Sequence, residues 1–381
     1  MSRLIYADNA ATTKLDYGAL EAMRPYLLDQ YANISQPYSF ARQAKQAIRE
    51  ARAQIAACIN ADPEEIYFTS GGTESDNWAI KGSLEYGDRR ATITSEFEHH
   101  AILRACAKIE AFGYPVAYLH PNKDGFITPD ILVATITDHT KLVSIMMVNN
   151  EIGTIQPIKE LCDIAHKYKA LFHTDAVQAL GHIPVDVKTL GVDMLSCSAH
   201  KFNGPKGVGF LFIKKGTKLS AYADGGAQEF GARAGTENVA SIVGMAVALE
   251  KNCKNLLKND QHILHLNEEL ISGLKAAGMK FRINGGMPKA NNILSLAFAG
   301  IEGETILHRL DLMGILVSTG SACDSKKTQV SHVLQAISLP NDIARSTIRI
   351  SFSKDNTEEE VRDIVQALKK ICGYLRCVEF Y

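Results

Sequence analysis

The sequence lacks an excess of charge of either sign and lacks any long hydrophobic run. Its 41 lysines and arginines stand against 42 aspartates and glutamates, which gives a formal net charge of −1. Such a balance produces no global field that would attract nucleic acid or an anionic membrane. No apolar run approaches the roughly 20 residues that cross a bilayer. We therefore expect neither a membrane protein nor a protein that binds nucleic acid directly.

Cysteine is present but forms no recognisable pattern. The eight cysteines are scattered, with no C-x-x-C motif and no paired histidine spacing of the kind that binds zinc. We expect reduced thiols and no metal site. The opening "MSRLIYADNAATTK" also lacks the apolar stretch of a signal peptide, so we expect a cytoplasmic protein. Cys323 differs from the other cysteines because it lies in the glycine- and serine-rich turn "STGSACDSKK".

Short strand-like runs alternate with longer segments of helical period through most of the 381 residues. The strand candidates are "EIYFTS", "ATITS", "KLVSIMMV", "ALFHTDA", "DMLSCS" and "GVGFLFI". Amphipathic stretches such as "SFARQAKQAIREARAQIAACI" separate them. This alternation predicts an α/β fold around a mostly parallel sheet, and we assign residues 15–255 to this large domain. Ligands gather at the carboxyl ends of parallel strands, so we expect the functional residues there.

The pattern changes after residue 255. A charged helical segment leads to the isolated strands "NILSLAFAG" and "STIRISFS". The last helix is predicted to begin with a capping box of Thr357 and Glu360, followed by one apolar stripe. We assign residues 1–14 and 256–381 to a smaller α+β domain that packs beside the large one.

The stretch "YFTSGGTESDNWAI" is a candidate phosphate site. A strand ends at Ser70, and Gly72 and Thr73 stand where a helix is predicted to begin. The exposed N–H groups and the positive end of a helix suit a phosphate. The same residues also fit a plain turn with Thr73 as the N-cap. Neither a Walker A nor a G-x-G-x-x-G pattern is present, so a nucleotide is not indicated.

Asp175 and Lys201 follow two further predicted strands. Asp175 needs a cation or hydrogen-bond donors if it is buried, and Gln178 lies three residues on; an aspartate that caps the next helix is the alternative. Ser198 and His200 flank Lys201, although a lysine at a strand end usually points to solvent. A phosphate cradle, a carboxylate and a lysine together suit pyridoxal phosphate, which carries a phosphate, a basic ring nitrogen and an aldehyde.

A set of motifs supports this interpretation across the chain. They are "YADNAATT", "SGGTESDN", "EHHA", "VNNEIGTIQP", "DAVQALGHIPVD", "SCSAHKFNGPKGVG", "RAGTEN" and "STGSAC". In this order the sequence resembles the cysteine desulfurase family, which comprises fold-type I pyridoxal-phosphate enzymes of the class V aminotransferase group. The resemblance covers essentially the whole chain and implies a large α/β domain with a smaller α+β domain.

The resemblance also implies roles for the residues around the cofactor ring. Lys201 would bond to the cofactor aldehyde and later move the substrate's α proton. Asp175 would pair with the ring nitrogen, and Gln178 would hydrogen-bond the ring oxygen. His99 would stack on the ring and serve as an acid or base. The full set of cofactor residues implied is Gly72, Thr73, His99, Asn150, Asp175, Gln178, Ser198, His200, Lys201 and Thr236.

Phosphate contacts and dimerisation follow from the same resemblance. Thr73, Ser198 and His200 would bind the phosphate, while Thr236 would reach the phosphate of a neighbouring subunit. Family members are homodimers, so a dimer is expected here. Asn33, Asn150 and Arg349 match positions that bind substrate, and a guanidinium gives a substrate carboxylate a two-pronged partner.

The loop "STGSACDSKKTQVSHVL", which contains Cys323, resembles the long-loop branch of the family, which serves iron–sulfur assembly and tRNA thiolation. The implied activity converts L-cysteine to L-alanine and leaves a persulfide on Cys323 for an unidentified acceptor protein. His99 or the loop lysines Lys326 and Lys327 are candidates to activate the thiol. The alternatives are another pyridoxal-phosphate reaction such as selenocysteine cleavage, and a non-catalytic sulfur-relay scaffold.

One segment departs from the family pattern. Where the family commonly has Asn-Pro-Ser-Ser-x-His and an early helical glycine, this chain reads "ANISQPYSFARQAK". Asn33 is retained, but Ile34 replaces the proline, Tyr38 the histidine and Ala41 the glycine. Because this segment lines the substrate entrance in the family, it bears on substrate preference.

Overall fold

The structure is a computed structural model that describes residues 4–320 and 330–378. The helices are α1 Tyr17–Leu28, α2 Arg42–Cys58, α3 Gly72–Gly82, α4 His100–Glu110, α5 Pro129–Val133, α6 Ile158–Lys167, α7 Val187–Leu190, α8 Val239–Lys254, α9 Leu256–Ala276, α10 Gly303–Asp311, α11 His332–Ala336, α12 Asn341–Arg345 and α13 Glu358–Val378. The strands are β1 Ile5–Tyr6, β2 Ile66–Thr69, β3 Ala91–Ser95, β4 Val116–Leu119, β5 Thr140–Ser144, β6 Leu171–Asp175, β7 Met194–Ser198, β8 Gly209–Ile213, β9 Arg282–Ile283, β10 Leu294–Ala297, β11 Ile315–Leu316 and β12 Thr347–Ile350.

A seven-stranded sheet in the order β2-β8-β7-β6-β5-β3-β4 forms the centre of the molecule. From β7 to β4 every neighbouring pair is parallel, whereas β8 runs antiparallel to both β7 and β2. The strands read as nearly continuous apolar runs because helices cover both faces of the sheet. This arrangement confirms the predicted α/β fold with a mostly parallel sheet.

Alternate residues of the central strands contribute to two hydrophobic cores. Leu195 and Cys197 of β7 pack in the larger core, and Met194 packs in the core that contains the single tryptophan, Trp78. Successive strand residues point to opposite faces of a sheet, so the two cores lie on opposite sides of it. Trp78 is fully buried and donates its indole N–H to the Ser220 carbonyl oxygen at 2.8 Å.

A third core lies beside two small sheets. One sheet has the antiparallel order β12-β10-β9, and the other pairs β1 with β11 in parallel. The capping box of α13 is present, because the Thr357 N–H donates to Glu360 and the Glu360 N–H donates to the Thr357 hydroxyl. The predicted apolar stripe is buried in this core at Val361, Ile364, Val365, Leu368 and Ile371.

The predicted domain boundaries remain a prediction. The third core combines Ile5 and Ala7 with residues beyond Ile263, as expected for a small unit built from both ends of the chain. Ala290 and Ile293, however, pack in the largest core. Within the described residues, no helix has the length and apolar content needed to cross a membrane.

Candidate active site

A cavity of about 620 Å³ opens where the carboxyl ends of the central strands meet the smaller sheets. Strand ends, the start of α3 and residues near β12 all contribute to its wall. The wall residues predicted from the sequence are Gly72, Thr73, His99, Asn150, Gln178, Ser198, His200, Lys201 and Arg349. Residues from distant parts of the chain therefore meet in one place, although their individual roles stay predictions.

The turn between β2 and α3 requires its glycines. Gly71 is the N-cap and has a φ of 147°, a conformation that residues with a side chain rarely adopt. A Cβ on Gly72 would lie 2.7 Å from Val177 Cγ2, so this position excludes a side chain as well. Thr73 is the second residue of the helix, and the suggestion that it is the N-cap is therefore wrong. The N-terminus of α3 faces the cavity and leaves its first N–H groups available to a phosphate.

Asp175 is the last residue of β6 and is buried immediately behind the cavity. Its carboxylate accepts a hydrogen bond from the Val177 N–H at 2.9 Å, which closes a turn and not a helix. Burial raises the pKa of Asp175 to about 6, and the nearby charge of Lys201 opposes that rise. Asp175 is thus a buried acid that a cationic ligand group would stabilise in its ionised form.

A second buried acid lies close to Asp175. Asp76, on α3, is fully buried, and its Oδ1 has no hydrogen-bond partner among the described residues. Burial, and next the charge of Asp175, raise the pKa of Asp76 well above its usual range, whereas a hydrogen bond from Ser196 lowers it. His173 Nε2 lies 3.8 Å from Asp76 Oδ1 and 2.9 Å from Ser196 Oγ. We call Asp76, His173 and Asp175 the sheet side of the cavity.

Lys201 lies at the end of a single 3₁₀ turn that follows β7. Its ammonium donates to the Ala10 and Ala11 carbonyl oxygens at 2.6 and 2.9 Å. The Gln178 amide nitrogen donates to the same Ala10 oxygen at 2.9 Å, while Gln178 Oε1 is buried without a hydrogen-bond partner in the described part of the chain. The segment around Ala10 therefore holds both side chains at the cavity wall.

Two histidines of the wall, His99 and His200, are neutral near pH 7. Burial lowers the pKa of His99 to about 4, and the charge of Lys201 adds to this effect. His99 Nδ1 accepts the Ala101 N–H at 3.2 Å, so the proton of the neutral ring is on Nε2. Burial likewise lowers the pKa of His200 to about 4, and its Nδ1 lies 3.1 Å from the Thr12 hydroxyl. His200 can contribute a hydrogen bond to a phosphate, but not a full positive charge.

Arg349 of β12 reaches the cavity from the smaller sheet. Its guanidinium donates to the Asn150 carbonyl oxygen at 2.8 Å and forms an ion pair with Asp8 at 2.7 Å. Its Nε is buried and has no hydrogen-bond partner among the described residues. Glu151 is also buried in this wall and hydrogen-bonds the Ser331 hydroxyl. We call Asp8, Glu151 and Arg349 the arginine side of the cavity.

Sequence reasoning missed several residues of this wall. Asp8 and Glu151 lie in the motifs "YADNAATT" and "VNNEIGTIQP", which were noted without assigning a role to either acid. Lys206 follows Lys201 by five residues and could have been noticed as a second cation beside the phosphate cradle. His332 packs against His100 with ring centroids 4.7 Å apart, and no local pattern predicts that contact.

Some predicted site residues lie elsewhere in this chain. Asn33 is outside the cavity wall, and its side-chain oxygen accepts the Ser35 N–H at 2.9 Å. Thr236 is exposed and also lies outside the wall, so only a second subunit could bring it to a phosphate. Tyr38 is exposed and precedes a 3₁₀ turn. Cys323, with Lys326 and Lys327, lies outside the described residues.

The residues present fit pyridoxal phosphate. A side chain at Gly72 would fill the space beside the glycine turn, and this turn exposes helix N–H groups to the cavity. Gln178 Oε1 is an orphaned polar atom at the wall, and Asp175 is a buried acid close to the Lys201 ammonium. An anion cradle, an unsatisfied amide, an acid and an amine match the phosphate, ring oxygen, ring nitrogen and aldehyde of this cofactor.

Known proteins resemble this chain over nearly its full length. The chain matches the Aminotransferase class-V family model over residues 5–364. It is 46% identical over 380 residues to the cysteine desulfurase IscS of Methanosarcina thermophila, covering 98% of this chain and 93% of that protein. It is also 46% identical over 387 residues to the cysteine desulfurase IscS of Dictyoglomus turgidum, covering 100% and 98%.

A solved structure titled NIFS-like protein superposes with a TM-score of 0.92 at 37% identity, covering 98% of this chain and 100% of that one. The matches to family, relatives and structure each extend over nearly the full chain. The chain therefore belongs to the class-V aminotransferase family and, within it, to the cysteine desulfurases, which depend on pyridoxal phosphate.

Proposed function

We propose that the protein removes sulfur from L-cysteine, releases L-alanine and leaves a persulfide on Cys323. The reaction is balanced: one L-cysteine and the Cys323 thiol give one L-alanine and one Cys323 persulfide. No external oxidant or reductant is therefore needed. The observation that carries the proposal is the cavity that unites Lys201 and the Gly71–Gly72 turn with Arg349, with the acid Asp175 buried behind it. The sulfur would then pass to an acceptor protein in iron–sulfur assembly or tRNA thiolation.

The cofactor, when bound, would supply an electron sink for the charge left at the substrate's α carbon. Asp175 would remain ionised when the cofactor is bound, because a protonated ring nitrogen would compensate for its loss of hydration. Lys201, held by the Ala10 and Ala11 carbonyls at the cavity wall, would take the α proton. The low pKa of His99 leaves Nε2–H as a hydrogen-bond donor to groups that gain negative charge.

Arg349 would bind the substrate carboxylate and so aim the amino group towards Lys201. Both side chains line the same cavity. Because Arg349 already pairs with Asp8 and donates to Asn150, it is held in place before substrate arrives. A positioned guanidinium loses less entropy on binding than one that must first be ordered.

The position of Cys323 in the sequence is compatible with sulfur transfer. Gly320 lines the cavity, and Cys323 follows it by three residues. On the far side of this segment, Ser331 hydrogen-bonds Glu151 of the arginine side. We propose a homodimer, in which Thr236 of a second subunit would complete the phosphate site, and a cytoplasmic location.

Incubation with L-cysteine tests the proposal. The wild-type protein should release alanine and carry protein-bound sulfane sulfur, and Cys323→Ala should lose the persulfide while it retains the bound cofactor. Lys201→Ala should lose the near-visible absorption of the lysine-bound cofactor and all turnover. Unchanged alanine release by Cys323→Ala would assign the site to another pyridoxal-phosphate reaction. A wild-type protein that binds the cofactor but never releases alanine would instead be a sulfur-relay scaffold.

A further inference from the structure

The turn that carries His99 is held by hydrogen bonds to its backbone and side chains. His99 is the N-cap of α4, and a short turn joins it to the end of β3. The Asn149 amide donates to the Phe97 carbonyl oxygen at 3.0 Å. The Met146 N–H donates to both carboxylate oxygens of Glu98 at 3.0 and 3.1 Å. The segment that follows β5 therefore fixes two of the residues that precede His99.

His332 holds the same turn from a distant part of the chain. Its Nε2 lies 2.9 Å from the Glu98 carbonyl oxygen, and the two residues are 234 positions apart. A carbonyl oxygen can only accept, so Nε2 carries a proton and is the donor. The His332 ring also packs against the His100 ring, with ring centroids 4.7 Å apart. His332 thus contacts the residue on each side of His99.

Helix α11 gives His332 a fixed position. Ser331 is the N-cap of α11, and its hydroxyl accepts the Val333 and Leu334 N–H groups at 3.1 and 3.3 Å. The same hydroxyl donates to the buried Glu151 carboxylate of the arginine side. Val333 and Leu334 are buried in the largest core. A hydroxyl has one donor and two acceptor sites, so Ser331 uses all of them and holds the start of α11 in place.

We propose that His332 is a positioning residue that keeps the His99 ring directed at the bound cofactor. This inference rests on the proposed function, in which the Nε2–H of His99 is a hydrogen-bond donor at the cofactor site. His99 Nδ1 accepts the Ala101 N–H at 3.2 Å, so the direction of Nε2–H follows the backbone of this turn. His332 ties that backbone to α11. A misplacement of about 1 Å at a reacting site can lower a rate by about 100-fold.

Two substitutions separate the hydrogen bond of His332 from its ring. His332→Phe keeps an aromatic ring but removes the donor, whereas His332→Gln loses the ring but keeps an amide N–H at a similar reach. In the holoenzyme, kcat for alanine release should fall by about 10-fold or more in His332→Phe and stay within about 3-fold of wild type in His332→Gln. KM for L-cysteine should change by less than about 2-fold in both. An equal loss of kcat in the two variants would overturn the proposal.

The absorption of the bound cofactor tests whether His332 acts through His99. His99→Gln should shift the near-visible band, because it replaces the ring at the cofactor, and His332→Phe should shift the band in the same direction. The double variant should show the band of His99→Gln without a further shift. A full additional shift in the double variant would mean that His332 acts by another route. An unshifted band in either single variant would also contradict the proposal.

His262 offers a matched control for the lost hydrogen bond. Its Nε2 lies 2.9 Å from the Asn356 carbonyl oxygen, which is a contact of the same type outside the cavity wall. His262→Phe should leave kcat and the cofactor band unchanged, and equal effects in His262→Phe and His332→Phe would refute the specific role of His332. If His332→Phe does not fold, His332→Asn replaces it, because its shorter amide does not reach the Glu98 carbonyl.

The two kinds of measurement also separate this inference from the proposed function. A wild-type protein that binds the cofactor but releases no alanine would contradict the proposed function. The band positions of the His99 and His332 variants would still decide whether His332 positions His99.

Discussion

The sheet side and the arginine side of the cavity stabilise Asp76 and Asp8, respectively, in different ways. On the sheet side, Asp76 relies on neutral neighbours, Ser196 and His173, and its pKa lies well above the usual range. On the arginine side, Asp8 forms a direct ion pair with Arg349. The sheet side can therefore accept one more positive charge, which a protonated cofactor ring supplies. The charge of Arg349 is already paired with Asp8, so a substrate carboxylate has to share Arg349 with Asp8.

Lys201 lies between these two sides, and its removal should produce the largest effect. Lys201→Ala removes both the covalent attachment and the base, so we expect turnover to fall by at least about 1,000-fold. Alanine release from L-cysteine and the near-visible absorption of the cofactor measure the two losses. Lys206→Ala is a matched control from the same cavity wall and should retain the absorption. Comparable loss of absorption in both variants would show that the wrong lysine has been assigned.

Substitutions on the sheet side should show which of its two acids, Asp175 or Asp76, carries the charge. Asp175→Asn removes the charge that holds the ring proton, so we expect kcat/KM to fall by about 100-fold or more. Asp76→Asn should change kcat/KM by less than about 3-fold, because an amide resembles the neutral acid that burial favours there. Steady-state alanine release and the pH dependence of the cofactor absorption are the measurements. An equal loss in the two variants would mean that Asp76 carries the charge as well.

The arginine side should respond through KM. Arg349→Lys replaces a two-pronged partner by a point charge, so we expect KM for L-cysteine to rise by about 10-fold or more. Asp8→Asn keeps an oxygen that can accept from Arg349 but removes the competing charge, so KM should fall by about 3-fold. The initial rate of alanine release against L-cysteine concentration separates KM from kcat. A rise in KM for Asp8→Asn would show that Asp8 mainly orients the arginine.

The difference between the two sides also explains what the sequence could predict. Asp175 and Lys201 each follow an apolar strand, and the carboxyl ends of parallel strands meet at one edge, so their convergence was foreseeable. The pair of Asp8 and Arg349 joins residues 341 positions apart, since Asp8 follows β1 and Arg349 lies in β12, and no local period encodes that contact. The raised pKa of Asp76 could not be predicted from the sequence either, because it depends on the burial of this side chain in the folded protein.

Elements with weak patterns were missed for a related reason. Strand β4 lies at the edge of the central sheet, and its sequence shows no alternation of apolar and polar residues. Helix α8 is apolar over most of its surface because it packs among other helices, and Gly244 lies against Met23 of α1. Its sequence therefore lacks the single polar face that marks an amphipathic helix. Both elements depend on tertiary packing, which the local sequence does not indicate.

The smallest expected effect is on the pH dependence of folding stability. It arises from Glu98, which is fully buried next to the sheet side. Burial raises the pKa of Glu98 to about 8, although hydrogen bonds from Ser95 and the Met146 N–H oppose the rise. The folded state therefore binds this proton more tightly than the unfolded state does. Its stabilising contribution is complete below pH 4.5 and is lost as pH rises through about 8. In Glu98→Gln, the fall in melting temperature between pH 6 and 9 should be about 2 °C smaller than in the wild type, as measured by calorimetry. An unchanged slope in this variant would mean that another group, such as Glu151 with its pKa of about 7, sets the dependence.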